Sequence, residues 1–370
     1  MRNLVALAMP GGPGFVDALQ RIWDDGDAVF PIDLRLPKPA RDRVLQAMAP
    51  SAVVDESGER AALSCARPTE EGDALVVATS GSSGEPKGVV LTHDAVRASA
   101  LATTRWIGRD PADHWLACLP LAHVGGLSVI TRALAMDIRV TVLPTVDSEQ
   151  ILASRATLIS LVPAALDRVD ISQFRRIVLG GSRPPPDRPA NSVATYGMTE
   201  TGSGIVYDGY PLDGVELRIV EGQIEVRGPM LIRVYRSGHD PKSADGWLPT
   251  GDLGTLDDDG RLTVFGRAGD LIITGGENVW PETVEAVLLR HPAVADVAVA
   301  GVPDVRWGQA VTALVVPAHR AAVPTLNELR GWVKTELPAF CAPHAISLVA
   351  AIPRTALGKI RRAELAALVI

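Results

Sequence analysis

Residues Thr79–Gly88 read TSGSSGEPKG and follow directly on the apolar run Ala74–Ala78. The run reads as a buried strand. The loop after it offers four hydroxyls, three glycines and one lysine. Glycine lets a backbone curl closely around an anion, and hydroxyls and N–H groups donate to its oxygens. Lys87 adds a point charge. A strand that empties into such a loop is chemistry for a polyphosphate. The loop departs from the Walker pattern, because Pro86 stands where that motif has Gly and Gly88 where it has Ser or Thr. GSSG alone would read as a flexible surface loop; the strand before it and Pro-Lys-Gly after it argue otherwise.

Around this loop, apolar runs alternate with helical spacing. Phe15–Trp23 and Arg41–Met48 have helical patterns, and Ala28–Pro31 and Ala52–Asp55 read as short strands. Thr92 or Asp94 is placed to cap a helix running to about Thr104. Trp115–Leu121 reads as a strand broken by Gly125-Gly126, with a helix over Leu127–Ala135. Val140–Leu143, Leu158–Val162 and Arg176–Leu179 are further buried strands. This alternation predicts α/β layers around a largely parallel sheet. After about Tyr207 the texture changes. Glu216–Val220, Gln223–Arg227 and Arg261–Phe265 alternate apolar and polar residues, as antiparallel strands with one wet face do. Beyond the glycine-rich stretch Gly266–Gly276, a helix at Pro281–Arg290, strands at Val294–Val299 and Val311–Val316, and a helix at Leu326–Glu336 outline a small α+β module. The expected architecture is a large α/β N-terminal domain, residues 1–268, with parallel-rich sheets and a small antiparallel β subdomain. A small mobile α+β C-terminal domain, residues 269–370, follows it.

Composition excludes several classes. Hydrophobic residues are 47% and charged residues 21% of the 370, so the chain is globular and not disordered. A net charge of −7 argues against a dedicated nucleic-acid binder, although a local basic patch would escape this count. No apolar run reaches membrane-spanning length, and Leu4–Met9 is too short for a signal core. Cys65, Cys118 and Cys341 are far apart and odd in number. They outline neither a metal site nor a disulfide framework, so a reducing cytoplasm is expected.

Several other segments carry residues suited to a nucleotide. In Thr195-Tyr-Gly-Met-Thr-Glu200, Gly197 permits close approach, Tyr196 can stack on a base and Thr199 can donate to a phosphate. Glu200 is a hard oxygen ligand suited to Mg²⁺, which binds through one or two carboxylates and phosphates. Taken alone, without its neighbours, it reads as a solvated surface acid. Asp252, in Pro249-Thr-Gly-Asp-Leu-Gly254, is a carboxylate on a glycine turn able to accept from both ribose hydroxyls, or an ordinary turn aspartate. Gly266-Arg267, Thr274-Gly-Gly-Glu-Asn-Val-Trp-Pro281 and Pro353-Arg-Thr-Ala-Leu-Gly-Lys359 follow in order.

This ordered set resembles the AMP-forming acyl-CoA synthetases of the adenylate-forming superfamily, from Thr79 almost to the C-terminus. The resemblance implies ATP, Mg²⁺ and CoA as cofactors and co-substrates, and a small carboxylic acid as substrate. It implies that Thr79, Ser80, Gly81, Ser82, Ser83, Gly84 and Lys87 hold the ATP β- and γ-phosphates. Gly180, Gly181 and Ser182 would line the adenine edge. Tyr196, Gly197 and Met198 would surround the base, with Thr199 at the α-phosphate and Glu200 on magnesium. Asp252 and Arg267 would hold the ribose, with the hinge at Gly269, where many relatives carry a charged residue. Gly275 and Gly276 would help line the pantetheine channel, and Lys359 would be the adenylation lysine. Without the family match, spacing leaves Lys359 evenly between a loop lysine that a mobile domain can deliver and one more basic residue beside Arg361 and Arg362.

Leu119-Pro-Leu-Ala-His123-Val-Gly-Gly-Leu127 matches the loop beside the acyl carboxylate. His123 is expected to orient that carboxylate or gate the CoA channel. It has no proton to abstract, because a carboxylate is already ionised at neutral pH. Within the superfamily, LPLAHVGGL, TGGENVWPETVE and YGMTETGSGIVYDGYPLDGVELRI resemble the o-succinylbenzoate–CoA ligases of menaquinone biosynthesis. A dicarboxylate would want a second cationic or hydroxyl partner, and Arg132 and Ser203 are candidates. Ligases for another aryl or short acyl acid, enzymes that load a carrier protein, and an inactive nucleotide-binding relative share these motifs. The family precedent allows a homodimer.

Overall fold

The structure, a computed structural model, describes residues 2–80, 85–185, 187–319, 323–354 and 359–369. The chain divides into two compact units. Residues 1–217 and 226–248 form the first, and residues 218–225 and 249–370 the second.

The first unit is built on two sheets. One runs in the order Val234–Tyr235, Pro86–Thr92, Asp73–Ser80, Ala28–Pro31, Leu4–Ala8, Ala52–Asp55, Arg60–Ala62. The four strands from Asp73–Ser80 to Ala52–Asp55 are parallel. Parallel neighbours need crossovers, and the helices Pro13–Asp24 and Lys38–Met48 supply them. The N-terminal apolar run is an inner strand of this sheet. Leu4, Val5, Ala6 and Leu7 are fully buried, because both faces are covered. Thr92 caps the helix His93–Ile107 by accepting a hydrogen bond from the Ala95 N–H at 3.1 Å.

The second sheet runs Tyr210–Pro211, Gly204–Tyr207, Ser192–Gly197, Arg176–Leu179, Leu158–Leu161, His114–Ala117, Arg139–Val142. Its strands from Ser192–Gly197 to Arg139–Val142 are parallel, with Gly204–Tyr207 antiparallel beside them. Leu116, Ile151, Ile159, Leu161, Phe174 and Ile177 fill one face. The strand expected over Trp115–Leu121 ends at Ala117. Gly125-Gly126 does not break the chain, since the helix begins at Val124 and takes both glycines into its first turn.

In the second unit, the strands Glu216–Val220, Gln223–Arg227, Leu248–Leu256 and Leu262–Arg267 form one sheet, of which residues 216–217, 226–227 and 248 count with the first unit. The other sheet runs Glu277–Val279, Ile272–Thr274, Gly308–Pro317, Val294–Asp304, with Ala345–Leu348 parallel to Gly308–Pro317. Val284, Val287 and Leu288 from the helix Pro281–Leu288, and Leu329 and Val333 from Leu326–Lys334, pack on Val297, Val299, Val311 and Val315. The residues 268 and 269, where a domain boundary was expected, lie in the 3₁₀ turn Ala268–Asp270 of this unit.

Candidate active site

In the first unit, the expected phosphate loop joins two antiparallel strands. Thr79 pairs with Lys87 and Ser80 with Pro86. Gly81, Ser82, Ser83 and Gly84 lie outside the described residues. Lys87 holds its ammonium 5.5 Å from the centre of the Tyr235 ring. The Tyr235 hydroxyl donates to Glu200 Oε1 at 2.9 Å. The short strand Val234–Tyr235 pairs with Val89 and Val90, which brings this tyrosine beside the lysine. The loop lysine, Tyr235 and the candidate magnesium ligand are therefore brought together. Tyr235 was not legible in the sequence, because nothing marks its two-residue strand.

Glu200 stands in the 3₁₀ turn Thr199–Thr201 that follows the strand Ser192–Gly197. The turn is held by Met198 N–H donating to Thr201 Oγ1 at 2.9 Å, with Thr201 fully buried. Tyr196 is half-buried on the strand. Thr195 Oγ1 donates to the Leu179 carbonyl at 3.0 Å, which ties this strand to the neighbouring strand end that bears Gly180, Gly181 and Ser182. Glycine at 197 is required by the fold itself. A Cβ there would lie 2.3 Å from the Ser203 carbonyl oxygen and 2.7 Å from Gly204 Cα. The close neighbour is the chain's own returning strand, so the residue type is demanded by the fold.

His123 precedes the helix Val124–Ala135 and makes no capping hydrogen bond with its side chain. Its Nε2 lies 3.4 Å from Asp33 Oδ2. Asp33 follows the strand Ala28–Pro31 and also accepts from Arg35: the backbone N–H at 3.0 Å, Nε at 2.8 Å and Nη2 at 2.7 Å. Burial pushes the Asp33 carboxyl up, but hydrogen bonds from His123 and Arg35 outweigh it and hold the group well below the usual range. Asp33 was missed in the sequence. Its one signal is an acid two residues before an arginine, just past the carboxyl end of a parallel strand, where α/β sheets place ligands.

Arg132 lies in the last turn of the same helix and is 2% exposed. Its Nη2 donates to Ser203 Oγ at 3.1 Å, and its guanidinium lies 4.9 Å from the Trp115 ring centre. Nε and Nη1 are buried with no hydrogen-bond partner among the described residues. Burial pushes the guanidinium below its ordinary value, with Tyr207 opposing the shift. Arg132 borders a small cavity also lined by Ser99, Ser128, Thr131, Gly202 and Met230. A buried cation with unmet donors at a cavity wall is an anion site in chemical terms.

The second unit holds its own group. Asp252 and Arg267 are register partners on adjacent strands, and Arg267 Nε meets Asp252 Oδ1 at 2.9 Å. Arg267 Nη1 also donates to the Thr250 carbonyl at 2.9 Å. Lys359 lies within the field of both. Desolvation lowers its pKa first, Arg267 lowers it further and Asp252 opposes them. Gly275 and Gly276 form the two-residue loop between Ile272–Thr274 and Glu277–Val279, with φ of +58° and +86°. Two positive φ values are what a type I′ hairpin requires. A Cβ on Gly275 would lie 3.0 Å from the Trp307 ring. The turn thus accounts for both glycines without a ligand.

The residues present fit a nucleotide with magnesium. Among the described residues, no group of three or more His, Cys, Asp or Glu could hold a metal ion by itself. One carboxylate, Glu200, beside a lysine-bearing loop expected to hold phosphates is the set that magnesium uses when phosphates and water complete its shell.

Comparison with known proteins decides the family. The model for AMP-binding enzymes matches residues 61–279, and that for the AMP-binding enzyme C-terminal domain matches residues 283–359. The chain belongs to the AMP-binding enzyme family. This AMP-binding enzyme is 38% identical over 359 residues to a probable 2-succinylbenzoate–CoA ligase of Mycobacterium tuberculosis, with 88% of this chain and 93% of that one covered. Its fold matches that of the o-succinylbenzoate CoA synthetase of Bacillus subtilis in complex with the acyl-adenylate intermediate OSB-AMP. There the TM-score is 0.87 at 28% identity, covering 98% of this chain and 88% of that one. The same Bacillus subtilis enzyme in complex with ATP and magnesium ion matches with a TM-score of 0.86 at 28% identity, over 98% of this chain and 89% of that one. Among the described residues, no helix of the AMP-binding enzyme is long and apolar enough to cross a membrane.

Proposed function

We propose that this AMP-binding enzyme joins 2-succinylbenzoate to coenzyme A, with ATP converted to AMP and pyrophosphate. The observation that carries the substrate is Arg132, a buried cation with two unmet nitrogens at a cavity wall. The cavity beside it has room for about one water, so an acid with a second carboxylate would supply the missing acceptor through that water. The relatives named for 2-succinylbenzoate favour the same acid.

In this reading, the carboxylate to be activated attacks the ATP α-phosphorus. The bond from that phosphorus to the bridging oxygen breaks, and pyrophosphate leaves. Thr79, Ser80, Gly81, Ser82, Ser83, Gly84 and Lys87 hold the outgoing phosphates. Gly180, Gly181, Ser182, Tyr196 and Met198 surround the base, Thr199 donates to the α-phosphate, and Asp252 and Arg267 hold the ribose. Glu200, kept in place by the Tyr235 hydroxyl, would hold magnesium, which neutralises phosphate charge when bound. Lys359 stabilises the charge that develops at the transition state. The catalysis is positioning and electrostatics. His123, oriented by Asp33, aligns the acyl carboxylate. Residues 269–370 then rotate about Gly269. The CoA thiol passes the Gly275–Gly276 turn, loses its proton to solvent and attacks the acyl carbon, and AMP leaves. The free cysteines fit a cytoplasmic location. A homodimer is an assembly that family precedent allows, and light scattering tests it.

The test is pyrophosphate release and CoA consumption with ATP, Mg²⁺, CoA and a panel of acids. Activity on 2-succinylbenzoate well above that on benzoate and other monocarboxylates supports the reading. Activity on monocarboxylates alone discards the substrate and keeps the reaction. Pyrophosphate release without CoA consumption points to a carrier-protein acceptor, and no release with any acid points to an inactive relative.

A further inference from the structure

Arg362 follows Lys359 by three residues and opens the short helix Arg362–Leu365. Its side chain is only 17% exposed and binds four residues on three segments of the second unit. Nε meets Asp270 Oδ2 at 3.2 Å. Nη2 donates to Glu282 Oε1 at 2.9 Å and to Glu285 Oε2 at 3.0 Å. Nη1 donates to Glu285 Oε1 at 2.9 Å and to the Val299 carbonyl at 3.0 Å. Asp270 ends the 3₁₀ turn that contains Gly269, and Glu282 and Glu285 belong to the helix Pro281–Leu288.

Three carboxylates converge on one guanidinium. Glu285 and the Val299 carbonyl alone would occupy Nη1 and one hydrogen of Nη2, which is enough to anchor the helix. Two further acids add negative charge that burial penalises. Burial pushes Asp270 and Glu285 up, and Glu282 Oε2 is buried without a partner among the described residues. Such an arrangement is poor as a stabilising device. It does fix the guanidinium in all directions at once, through the planar fork that arginine alone offers.

The geometry also places Lys359 relative to that fixed point. Arg354 and Ile360 pair across an antiparallel bridge, and Arg361 N–H donates to the Pro353 carbonyl at 2.8 Å. Arg354 is held in turn by Asp296 at 2.6 Å. Lys359 therefore stands next to an isolated bridge, anchored on one side by Asp296 and on the other through Arg362. Three residues of backbone span at most about 10–11 Å, so holding Arg362 bounds where the Lys359 backbone, and through its side chain the ammonium, can go.

We infer that Arg362 is a positioning residue for Lys359, and that through Asp270 it links the lysine's placement to the turn at Gly269. This rests on the proposed role of Lys359 in adenylation.

The test compares the two half-reactions in Arg362→Gln, Arg362→Lys, Asp270→Asn and Lys359→Ala. Pyrophosphate release reports adenylation, and thioester formation from supplied acyl-adenylate reports the second half. Both are normalised to folded protein measured by circular dichroism. Arg362→Gln should lower adenylation kcat about 10–100-fold, the range expected when a supporting contact of a catalytic group is lost. The KM for ATP and the second half-reaction should stay within about 3-fold, since neither depends on where that one ammonium is held. Arg362→Lys should recover little, because an ammonium cannot hold the three acids in a plane. Asp270→Asn leaves Arg362 on its two glutamates and guards against misfolding, with an adenylation loss of about 3–10-fold. Equal loss in both half-reactions, full rescue by lysine, or no loss in any Arg362 or Asp270 variant while Lys359→Ala is impaired would overturn the inference. If Lys359→Ala itself adenylates normally, the reading beneath it fails instead.

Discussion

Replacing Arg132 by methionine should separate stability from substrate choice. Among the described residues the guanidinium keeps one direct hydrogen bond, to Ser203, and lies over Trp115 at 4.9 Å. These are worth about 1.5–3 and about 0.5–2 kcal/mol. Against them stand two buried nitrogens without hydrogen-bond partners among the described residues. Each costs about 1–3 kcal/mol, so the pair offsets most or all of the favourable contacts. Methionine fills irregular space and leaves no donor behind. Arg132→Met should therefore leave the thermal midpoint unchanged or raise it, as other buried charges replaced by apolar residues have done. Catalysis should respond in the opposite sense. One charge-assisted hydrogen-bonded link to a second carboxylate through a water is worth about 1.5–3 kcal/mol, a loss of about 10–10²-fold in kcat/KM. A monocarboxylate such as benzoate should be affected by less than about 3-fold, since it makes no such contact. The assays are thermal unfolding and steady-state pyrophosphate release with both acids. A sharp fall in the midpoint, with both acids losing activity in parallel, would refute the reasoning and make Arg132 a structural cation. Unchanged kcat/KM for 2-succinylbenzoate would refute it as well.

Other outcomes follow from the same geometry. Lys359→Ala should lower adenylation about 10²–10³-fold and spare thioester formation from supplied acyl-adenylate. The lysine pKa is lowered, so its charge is lost at lower pH than for an ordinary lysine. The adenylation rate should therefore fall on the alkaline side, and Lys359→Arg should remove that limb of the pH–rate profile. Asp33 is held below the ordinary aspartate range, so its contribution to stability is present above about pH 4 and is lost as pH falls through its folded value. Asp33→Asn should accordingly be less stable than the parent by about 1–3 kcal/mol near pH 7, with the gap closing in acid; denaturant unfolding across pH measures it. Glu200→Gln should raise the magnesium concentration for half-maximal pyrophosphate release about 10-fold or more, and Tyr235→Phe by a smaller factor, because each weakens one oxygen of the proposed metal site. A magnesium titration in which the parent and both variants coincide would remove Glu200 from that role.

Much of the scaffold can be read from local pattern. The strand Arg176–Leu179 and the helix Pro281–Leu288 announce themselves through unbroken or periodic apolar residues, and Thr92 caps as its position suggests. The short strands Val234–Tyr235 and Ile272–Thr274 carry no such signal, because they are too brief for a period to show and exist only by pairing with neighbours. Glycines were the least transparent residues. Gly197 and Gly275 look alike as ligand-approach positions in sequence, yet one is required by a returning strand and the other by a tight turn.

By itself the sequence determined the family, through ordered blocks whose residue types suit phosphate, ribose and magnesium. It also determined the α/β layering, because burial on both faces of a parallel sheet leaves a continuous apolar imprint in each strand. Tertiary structure alone decided which charges meet. Asp33 and His123 are 90 positions apart, and Arg132 and Ser203 are 71 apart. No local rule relates such pairs. The reason is physical: an ion pair or an orphaned guanidinium is defined by what surrounds it within a few ångströms and by the water removed from it. Both are properties of the folded interior.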